Sequence, residues 1–272
     1  MPEAGHMERV WLDDAETVSM VFCWIPSGKF RMGSRNGHPD EQPVHRVRFE
    51  QGFWLGRTPV TQRQYGLCFP EHENGFPNKP NHPAESMTWN DARHFYHWLT
   101  KNRLPASEFP GWIADLPTEA QWECACRAGT ETDYYTGDGE QALARAGWYS
   151  GNANGRTHEV WQPGREESDF KVPNAFGLFD MHGNVWEWCR DIWRTKEYRF
   201  HAGRQSVCLG IEGSLIQGDE GWRSIRGGFW GGHLSACRSA FRVRVGAGGS
   251  NRNLGFRVGL FPGPLCPGVE PE

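Results

Sequence analysis

The stretch from Gly177 to Asp191 constrains the fold more than any other part of the chain, because it places two tryptophans around one carboxylate. Trp186 and Trp188 flank Glu187, so an extended strand directs both indoles to one face and the carboxylate to the other. Three residues of the preceding loop are polar or glycine: Asp180, Gly183 and Asn184. Such a loop suits a tight turn or a hard cation. The stretch therefore predicts a two-faced strand that is entered through a polar loop.

Aromatic and loop-forming residues dominate the rest of the composition, with 14 Trp, 34 Gly and 18 Pro. A large apolar side chain contributes roughly 1.5–3 kcal/mol when it is buried, whereas Gly and Pro punctuate irregular loops. Continuous aliphatic runs are few. The composition therefore predicts a loop-rich α+β domain whose core is built largely from indoles.

Local patterns predict several strands in the first quarter of the chain. Residues 18–25 and 29–33 are apolar runs that flank a Pro-Ser-Gly break, which is typical of a β-hairpin. Residues 44–49 alternate like a half-buried strand, and residues 53–55 continue the sheet.

Helices are predicted after three threonines that suit the N-cap position: Thr61, Thr88 and Thr118. Asn90 is an alternative cap for the second helix, and Thr118 opens a Thr-x-x-Gln capping box with Gln121. Residues 129–173 show little periodicity and are predicted to be irregular.

Charge and hydropathy exclude several classes of protein. The formal net charge is -4, which argues against a general nucleic-acid binder, although four arginines cluster late in the chain: Arg238, Arg242, Arg244 and Arg252. No apolar run approaches the roughly 20 residues that cross a bilayer. We therefore expect neither a signal peptide nor an anchor, and the cytoplasm is the default location, with display on a cell or virion surface left open. We expect the eight scattered cysteines to be free thiols.

An ordered series of motifs resembles the formylglycine-generating-enzyme (sulfatase-modifying factor) domain family. The motifs are Phe30-Arg-Met-Gly-Ser34, Pro59-Val-Thr61, the run from Pro83 to Ala92, Leu116-Pro-Thr-Glu-Ala-Gln-Trp-Glu123, Asn174-Ala-Phe-Gly-Leu178, Asp180-Met-His-Gly-Asn-Val-Trp-Glu-Trp188, Arg226-Gly-Gly228 and Asn253-Leu-Gly-Phe-Arg257. We find no internal repeat and no linker, so we predict one domain over residues 1–272, with a core at about 18–261 and short polar tails. The resemblance implies a C-type-lectin-like fold of the formylglycine-generating-enzyme type, with a small twisted antiparallel sheet, two main helices and much ordered loop.

The resemblance first implies an enzyme, and the cysteines test that implication. Formylglycine-generating enzymes use a Cys-His-x-Ser-x-Cys arrangement to bind copper(I) and oxidise a substrate cysteine. Here the corresponding stretch runs from Gly232 to Cys237, so glycine replaces the first thiol. One thiolate holds copper(I) far less well than two, and copper is therefore not expected. If the protein is an enzyme, Cys237 is its nucleophile and His233 the nearest base, with Cys208 or Cys266 as a second thiol from elsewhere.

The tail from 226 to 257 also resembles the variable region of proteins that are diversified by retroelements, which use this lectin-like fold as a binding scaffold. Rewriting adenines in Asn codons yields Phe, Gly, His, Leu, Ser, Ala, Val or Asn, but not Lys, Glu, Gln, Met or Trp. Those five are absent between 229 and 253 except for Trp230, which the resemblance assigns to the framework together with residues 237–240. The implied ligand-binding residues are Phe229, Gly231, Gly232, His233, Leu234, Ser235, Phe241, Val243, Val245, Ser250, Asn251 and Asn253.

Residues 241–245 have two interpretations. In any half-buried strand the valines belong to the core. As a display surface, the same stretch turns Phe241, Val243 and Val245 outward as an apolar patch, and it turns Arg242 and Arg244 inward toward carboxylates or carbonyls.

The resemblance further implies a calcium ion held by the side chains of Asp180 and Glu187 and by the carbonyls of Gly183 and Val185. Ligation by oxygen alone suits calcium, and the alternative is a hydrogen-bonded turn. The leading hypothesis is a non-enzymatic protein that binds an unidentified protein or other macromolecule through residues 229–253. The alternatives are a copper-dependent oxidase of protein cysteine and a regulatory or interaction module of the same family.

Overall fold

The computed structural model describes residues 2–195, 197–201, 206–207 and 221–263. The strands of this part are β1 (Met7–Trp11), β2 (Ser19–Ile25), β3 (Gly28–Met32), β4 (His45–Phe49), β5 (Phe53–Gly56), β6 (Trp112–Asp115), β7 (Gly147–Trp148), β8 (His182–Gly183), β9 (Trp186–Ile192), β10 (Ser206–Val207), β11 (Trp222–Arg226), β12 (Val243–Gly246), β13 (Leu254–Phe256) and β14 (Gly259–Pro262). The helices are α1 (Gln62–Gly66), α2 (Trp89–Asn102), α3 (Glu119–Arg127), α4 (Glu140–Ala146) and α5 (Glu197–His201). Three short 3-10 turns lie at Pro39–Glu41, Glu167–Asp169 and Leu234–Cys237.

Two sheets carry most of the architecture. A five-stranded antiparallel sheet has the order β1-β2-β5-β14-β6, so the last strand lies between β5 and β6. A four-stranded sheet has the order β12-β11-β9-β13. Its outer strand β12 is antiparallel to β11, and β13 is parallel to β9. The predicted α+β class is confirmed, but the strands form several sheets rather than one small one.

The predicted hairpin of residues 18–33 is wrong in its pairing. Both strands exist, but β2 pairs with β1 on one edge and with β5 on the other. No edge of β2 is left for β3, which pairs with β4. Residues 7–12 were assigned to a polar tail, yet they supply β1 and the buried side chains of Val10 and Leu12.

All three predicted threonine caps are confirmed. Thr61, Thr88 and Thr118 each accept a hydrogen bond from the backbone of the third helical residue, which returns one in a capping box. Helix α4 lies inside the stretch that was predicted to be irregular. It begins after Gly139 without a side-chain cap bond and lasts two turns, so it leaves little local signal in the sequence.

Strand β9 has the two faces that the sequence predicts. Trp186 and Trp188 are buried in the main hydrophobic core with residues of β2 and α2. The Glu187 carboxylate, also buried, accepts a 2.7 Å hydrogen bond from the Trp122 indole of α3, which belongs to a second apolar cluster. Strand β9 therefore separates the main core from a polar layer against α3.

Two further predictions concern the covalent state and the membrane. The six cysteines in the described ranges are free thiols: Cys23, Cys68, Cys124, Cys126, Cys189 and Cys237. Across the same ranges, every helix is too short or too polar to serve as a membrane span.

Candidate functional site

The predicted ligand-binding residues lie almost entirely at the protein surface, and together they are called the C-terminal surface below. The exposed members are Gly231, His233, Ser235, Ser250 and Asn251. The half-buried members are Phe229, Leu234, Phe241, Val243, Val245 and Asn253. Gly232 is the buried exception. Exposure therefore agrees with a surface that a ligand can reach.

Trp186 brings the two halves of this surface together. The ring centroids of Phe229 and Phe241 lie 6.1 Å and 6.0 Å from that of Trp186. Val243 and Val245 pack partly against the same core and remain half-buried, because β12 is the outer strand of its sheet. The apolar side chains of the surface, Phe229, Phe241, Val243 and Val245, thus form a half-buried shelf that packs on the main core.

Residues 237–240, which lie between the two halves of the C-terminal surface, are held in place by burial and by hydrogen bonds to the scaffold. Cys237, Ser239 and Ala240 are buried, and the Ser239 backbone N–H and hydroxyl both donate to the Asp133 carbonyl. Arg238 donates from both terminal nitrogens to the two oxygens of buried Glu41, at 2.9 and 2.7 Å. A bidentate pair of this kind specifies orientation as well as stabilising the pair. These residues behave as framework between two exposed segments.

The two arginines of the display interpretation differ in their environment. Arg242 is buried and donates to the Glu119 carboxylate, as predicted, with its guanidinium 4.2 Å from the centre of the Trp193 ring. Burial opposes its charge, but Glu119 and Tyr198 keep the pKa of Arg242 above its ordinary value.

Arg244 was predicted to point inward, and that prediction is wrong. It is exposed, with its guanidinium 4.8 Å from the centre of the exposed Trp222 ring. Arg242 already occupies the Glu119 carboxylate, and Arg244 lies further along an outer strand, where water solvates the guanidinium.

Cys237 is poorly placed for nucleophilic or copper chemistry. It is buried beside Tyr134 and Tyr149, and burial raises the pKa of its thiol to about 12. His233, the base suggested by the sequence, instead caps the turn that follows it and lies 3.0 Å from the Ser235 hydroxyl. The described residues contain no cluster of three metal-ligating side chains, and Cys208 and Cys266 lie outside them.

The position of the missing thiol is also crowded. A Cβ atom added to Gly232 would lie 3.1 Å from the ring and 3.2 Å from the carbonyl oxygen of Phe229. Restoring a cysteine at 232 therefore requires Phe229 to shift.

We expect Cys237 to resist alkylation in the folded protein. Between the ordinary thiol pKa of about 8.5 and the value of about 12 in the fold, the unfolded chain carries a thiolate at 237 and the folded chain a thiol. Iodoacetamide labelling followed by peptide mass spectrometry should modify half-buried Cys68 first and Cys237 only after denaturation. Rapid native labelling of Cys237 would contradict the inert assignment.

The predicted calcium ligands do not fit a calcium ion, because Glu187 is fully engaged. One of its oxygens accepts from Arg257 Nε and Nη2, and the other accepts from Arg257 Nε and the Trp122 indole. A carboxylate oxygen has two lone pairs, and a guanidinium already supplies the positive charge that a cation would bring.

The rest of the set matches the hydrogen-bonded turn. The Asn184 side-chain amide donates to Asp180 at 3.3 Å, and the Gly183 backbone N–H donates to the Gly227 carbonyl at 2.6 Å. Desolvation raises the pKa of Asp180 to about 7, with Arg257 opposing the rise. Val185 is a buried apolar residue at the end of this turn.

We expect the melting temperature to be the same in excess calcium and in EDTA. A bound ion that recognised only the folded state would raise the melting temperature in calcium, and such a rise would restore the calcium assignment. Magnesium in place of calcium is the matched control.

Sequence reasoning missed a polar cleft of about 660 Å³ next to residue 238. Its charged lining residues are Arg31, Arg35, Arg127, Glu131, Asp133, Asp138 and Arg238. These residues come from three separate segments of the chain, so no local sequence pattern predicts the cleft. Arg238 joins the cleft to the C-terminal surface, since its guanidinium lies 5.9 Å from the centre of the Phe241 ring.

Comparison with known proteins places this geometry in context. The family model for the sulfatase-modifying factor enzyme 1-like domain matches residues 12–259. A serine/threonine-protein kinase pkn1 of Chlamydia caviae is 30% identical over 266 residues, which cover 88% of this chain but only 37% of the kinase. The formylglycine-generating enzyme of Thermomonospora curvata is 28% identical over 305 residues, covering 88% of this chain and 92% of the enzyme.

The fold comparison gives the same answer. The solved structure of Treponema denticola variable protein 1 superposes with a TM-score of 0.75 at 24% identity, covering 93% of this chain and 98% of that one. The expected C-type-lectin-like fold of the formylglycine-generating-enzyme type is confirmed. Because the family model matches nearly the whole chain, the protein belongs to the sulfatase-modifying factor enzyme 1-like domain family.

Proposed function

We propose that this protein is a non-enzymatic ligand-binding module whose C-terminal surface contacts a protein or other macromolecule and is diversified at its accessible positions. One observation carries the proposal. Within residues 229–253, the twelve implied ligand-binding positions are exposed or half-buried, except for Gly232, whereas framework residues 237–240 are buried or ion-paired. Substitutions at exposed sites usually change stability by less than about 0.5 kcal/mol, so such a surface tolerates variation.

The shape of the surface agrees with a binding role. Phe229 and Phe241 flank Trp186 at a solvent-facing shelf, and Trp230 packs edge-to-face against Phe76 with ring centroids 5.5 Å apart. Aromatic side chains supply large contact areas at low entropic cost and are enriched where proteins bind proteins.

The thiol argues against the oxidase alternative. An oxidase of the family type needs two accessible thiols for copper(I), and this chain has Gly232 at one position and a buried, protonated Cys237 at the other. We therefore expect no turnover when the protein is incubated with copper(I), dioxygen and a cysteine-containing peptide. A formylglycine-generating enzyme of the same family is the positive control, and sustained aldehyde formation by this protein would replace the proposal with the oxidase.

The relatives agree with a binding module without specifying its partner. The name of Treponema denticola variable protein 1 indicates variability in that protein. The kinase relative is much longer than this chain, since the matched part is 37% of its length. A domain of this kind therefore also occurs as one part of a larger protein, where a binding role is natural.

Sequencing the gene from independent isolates tests the diversification. We expect variation concentrated at the codons of the C-terminal surface and none at Arg238, Ser239 and Ala240. A nearby reverse-transcriptase gene with a near-copy of the 3′ end, differing only at adenines, should accompany it. An invariant segment without such a copy would leave the interaction-module alternative, and changes spread evenly along the gene would contradict a dedicated surface.

A further inference from the structure

Within the described ranges, the outer edge of β12 pairs with no other strand, and this edge lies inside the C-terminal surface. Strand β12 is the terminal strand of its sheet and pairs with β11 alone among the described strands. An unpaired strand edge offers backbone N–H and C=O groups to an incoming chain.

The register shows which residue presents those groups. The Ala247 N–H donates to the Gly221 carbonyl at 2.8 Å, so this antiparallel pair is of the hydrogen-bonded type. Hydrogen-bonded pairs recur every two residues along an antiparallel ladder. The backbone N–H and C=O groups of Val243 and Val245 therefore point toward β11. The backbone of Arg244, between them, therefore points to the outer edge.

The two faces beside this edge have different chemistry. On one face, Phe241, Val243 and Val245 form the half-buried apolar shelf. On the other, the Arg244 guanidinium lies over the exposed ring of Trp222. A strand added at the edge would place alternate side chains over these two faces.

Charge decides what those side chains should be. Residues 229–253 contain four arginines and neither Asp nor Glu. Arg238 and Arg242 are neutralised from the scaffold by Glu41 and Glu119. The two exposed arginines, Arg244 and Arg252, are left to give this surface its positive charge. An acidic partner is complementary, and charge complementarity steers association and selects partners.

We infer that this edge binds an extended peptide segment of a protein ligand, in which acidic residues alternate with apolar ones, by adding it as a fifth strand next to β12. The inference rests on the proposed binding function and adds the mode of recognition to it. Backbone hydrogen bonds at the edge supply affinity that does not depend on shelf side chains, whereas the shelf and Arg244 supply selectivity. A diversified shelf can therefore change its preference while the edge stays constant.

The experiment uses the full chain and two synthetic peptide pools. In one pool Asp or Glu alternates with Val, Ile or Tyr; in the matched pool Lys replaces the acids. We expect binding of the acidic pool, weakening with salt, and none of the lysine pool. Arg244→Pro removes the outward N–H while leaving the inward ladder of β12 intact, and it should weaken binding about tenfold. Arg244→Ala keeps the N–H and should weaken binding only a few-fold while reducing the salt dependence.

A second measurement does not depend on the variants. In the unaltered protein, hydrogen exchange of the Arg244 amide should slow when the acidic peptides bind. Failure of the acidic pool to bind, an unchanged exchange rate at Arg244 with peptide bound, or full affinity in a folded Arg244→Pro protein would each overturn the inference. If the edge does not bind peptides but the isolates show codon variation, the proposed function stands and only the edge-binding inference is wrong. If the edge binds peptides but the codons are invariant, only the proposed diversification is wrong.

Discussion

Replacing Arg257 with leucine should lower the free energy of unfolding by about 3–5 kcal/mol, the cost of removing one partner of a buried ion pair. Arg257 is fully buried, and its guanidinium donates to both oxygens of Glu187. It also donates to the carbonyls of Gly56 and Phe179, each at 2.8 Å. The substitution leaves a carboxylate and two carbonyls buried without these donors. Since domains are stable by only about 5–15 kcal/mol, this loss removes a large fraction of the total stability.

Urea denaturation followed by tryptophan fluorescence measures this loss. Arg244→Leu is the matched control, because it removes an exposed arginine and should change the free energy of unfolding by less than about 0.5 kcal/mol. Adding Glu187→Gln to Arg257→Leu should recover part of the loss, since the amide can still accept from Trp122 and no longer carries an unpaired charge. Equal stabilities of Arg257→Leu and Arg244→Leu would show that the ion pair does not hold the polar layer together.

Gly183→Ala should destabilise the protein by about 3 kcal/mol or more. Gly183 has a φ of +80°, a region that costs a residue with a Cβ roughly 1–2 kcal/mol. In addition, the new Cβ would lie 1.9 Å from the Trp148 carbonyl oxygen, where β7 and β8 pair. The Trp148 carbonyl is a backbone group that cannot rotate away, so the clash is relieved only if β7 and β8 move apart. Such overpacking adds about 1–3 kcal/mol.

Gly155→Ala separates the two contributions to that loss. Gly155 has a φ of +72°, but an added Cβ there meets no atom within 4 Å. Its thermal unfolding should therefore report the backbone cost alone, and Gly183→Ala should melt well below it. If the two variants melt together, the close approach of β7 to β8 is not a constraint on residue 183.

The sequence predicted the features that depend on near neighbours. The N-cap at Thr61 and the capping box at Thr118 involve residues within three positions of each other, and the opposite faces of Trp186 and Glu187 follow from strand geometry alone. The family could be recognised because its motifs recur in order along the chain.

Features that depend on distant partners were not predictable in the same way. The resemblance assigned Glu187 to calcium, and no local pattern indicates that Arg257, which is 70 residues away, donates to its carboxylate. The strands β2 and β3 were paired because they adjoin in sequence, although each finds its neighbours elsewhere. Arg244 was directed inward by alternation, which does not reveal that β12 is an outer strand.

The central place of β14 has a consequence for synthesis on the ribosome. Strand β14 (residues 259–262) lies between β5 and β6 and is hydrogen-bonded to both, although these two strands are synthesised much earlier. While the chain is being elongated, β5 and β6 each have an unsatisfied edge, and that gap closes only after residues 259–262 have been translated. Nascent chains that stall short of β14 therefore expose two apolar strand edges, and these are the species that chaperones should meet.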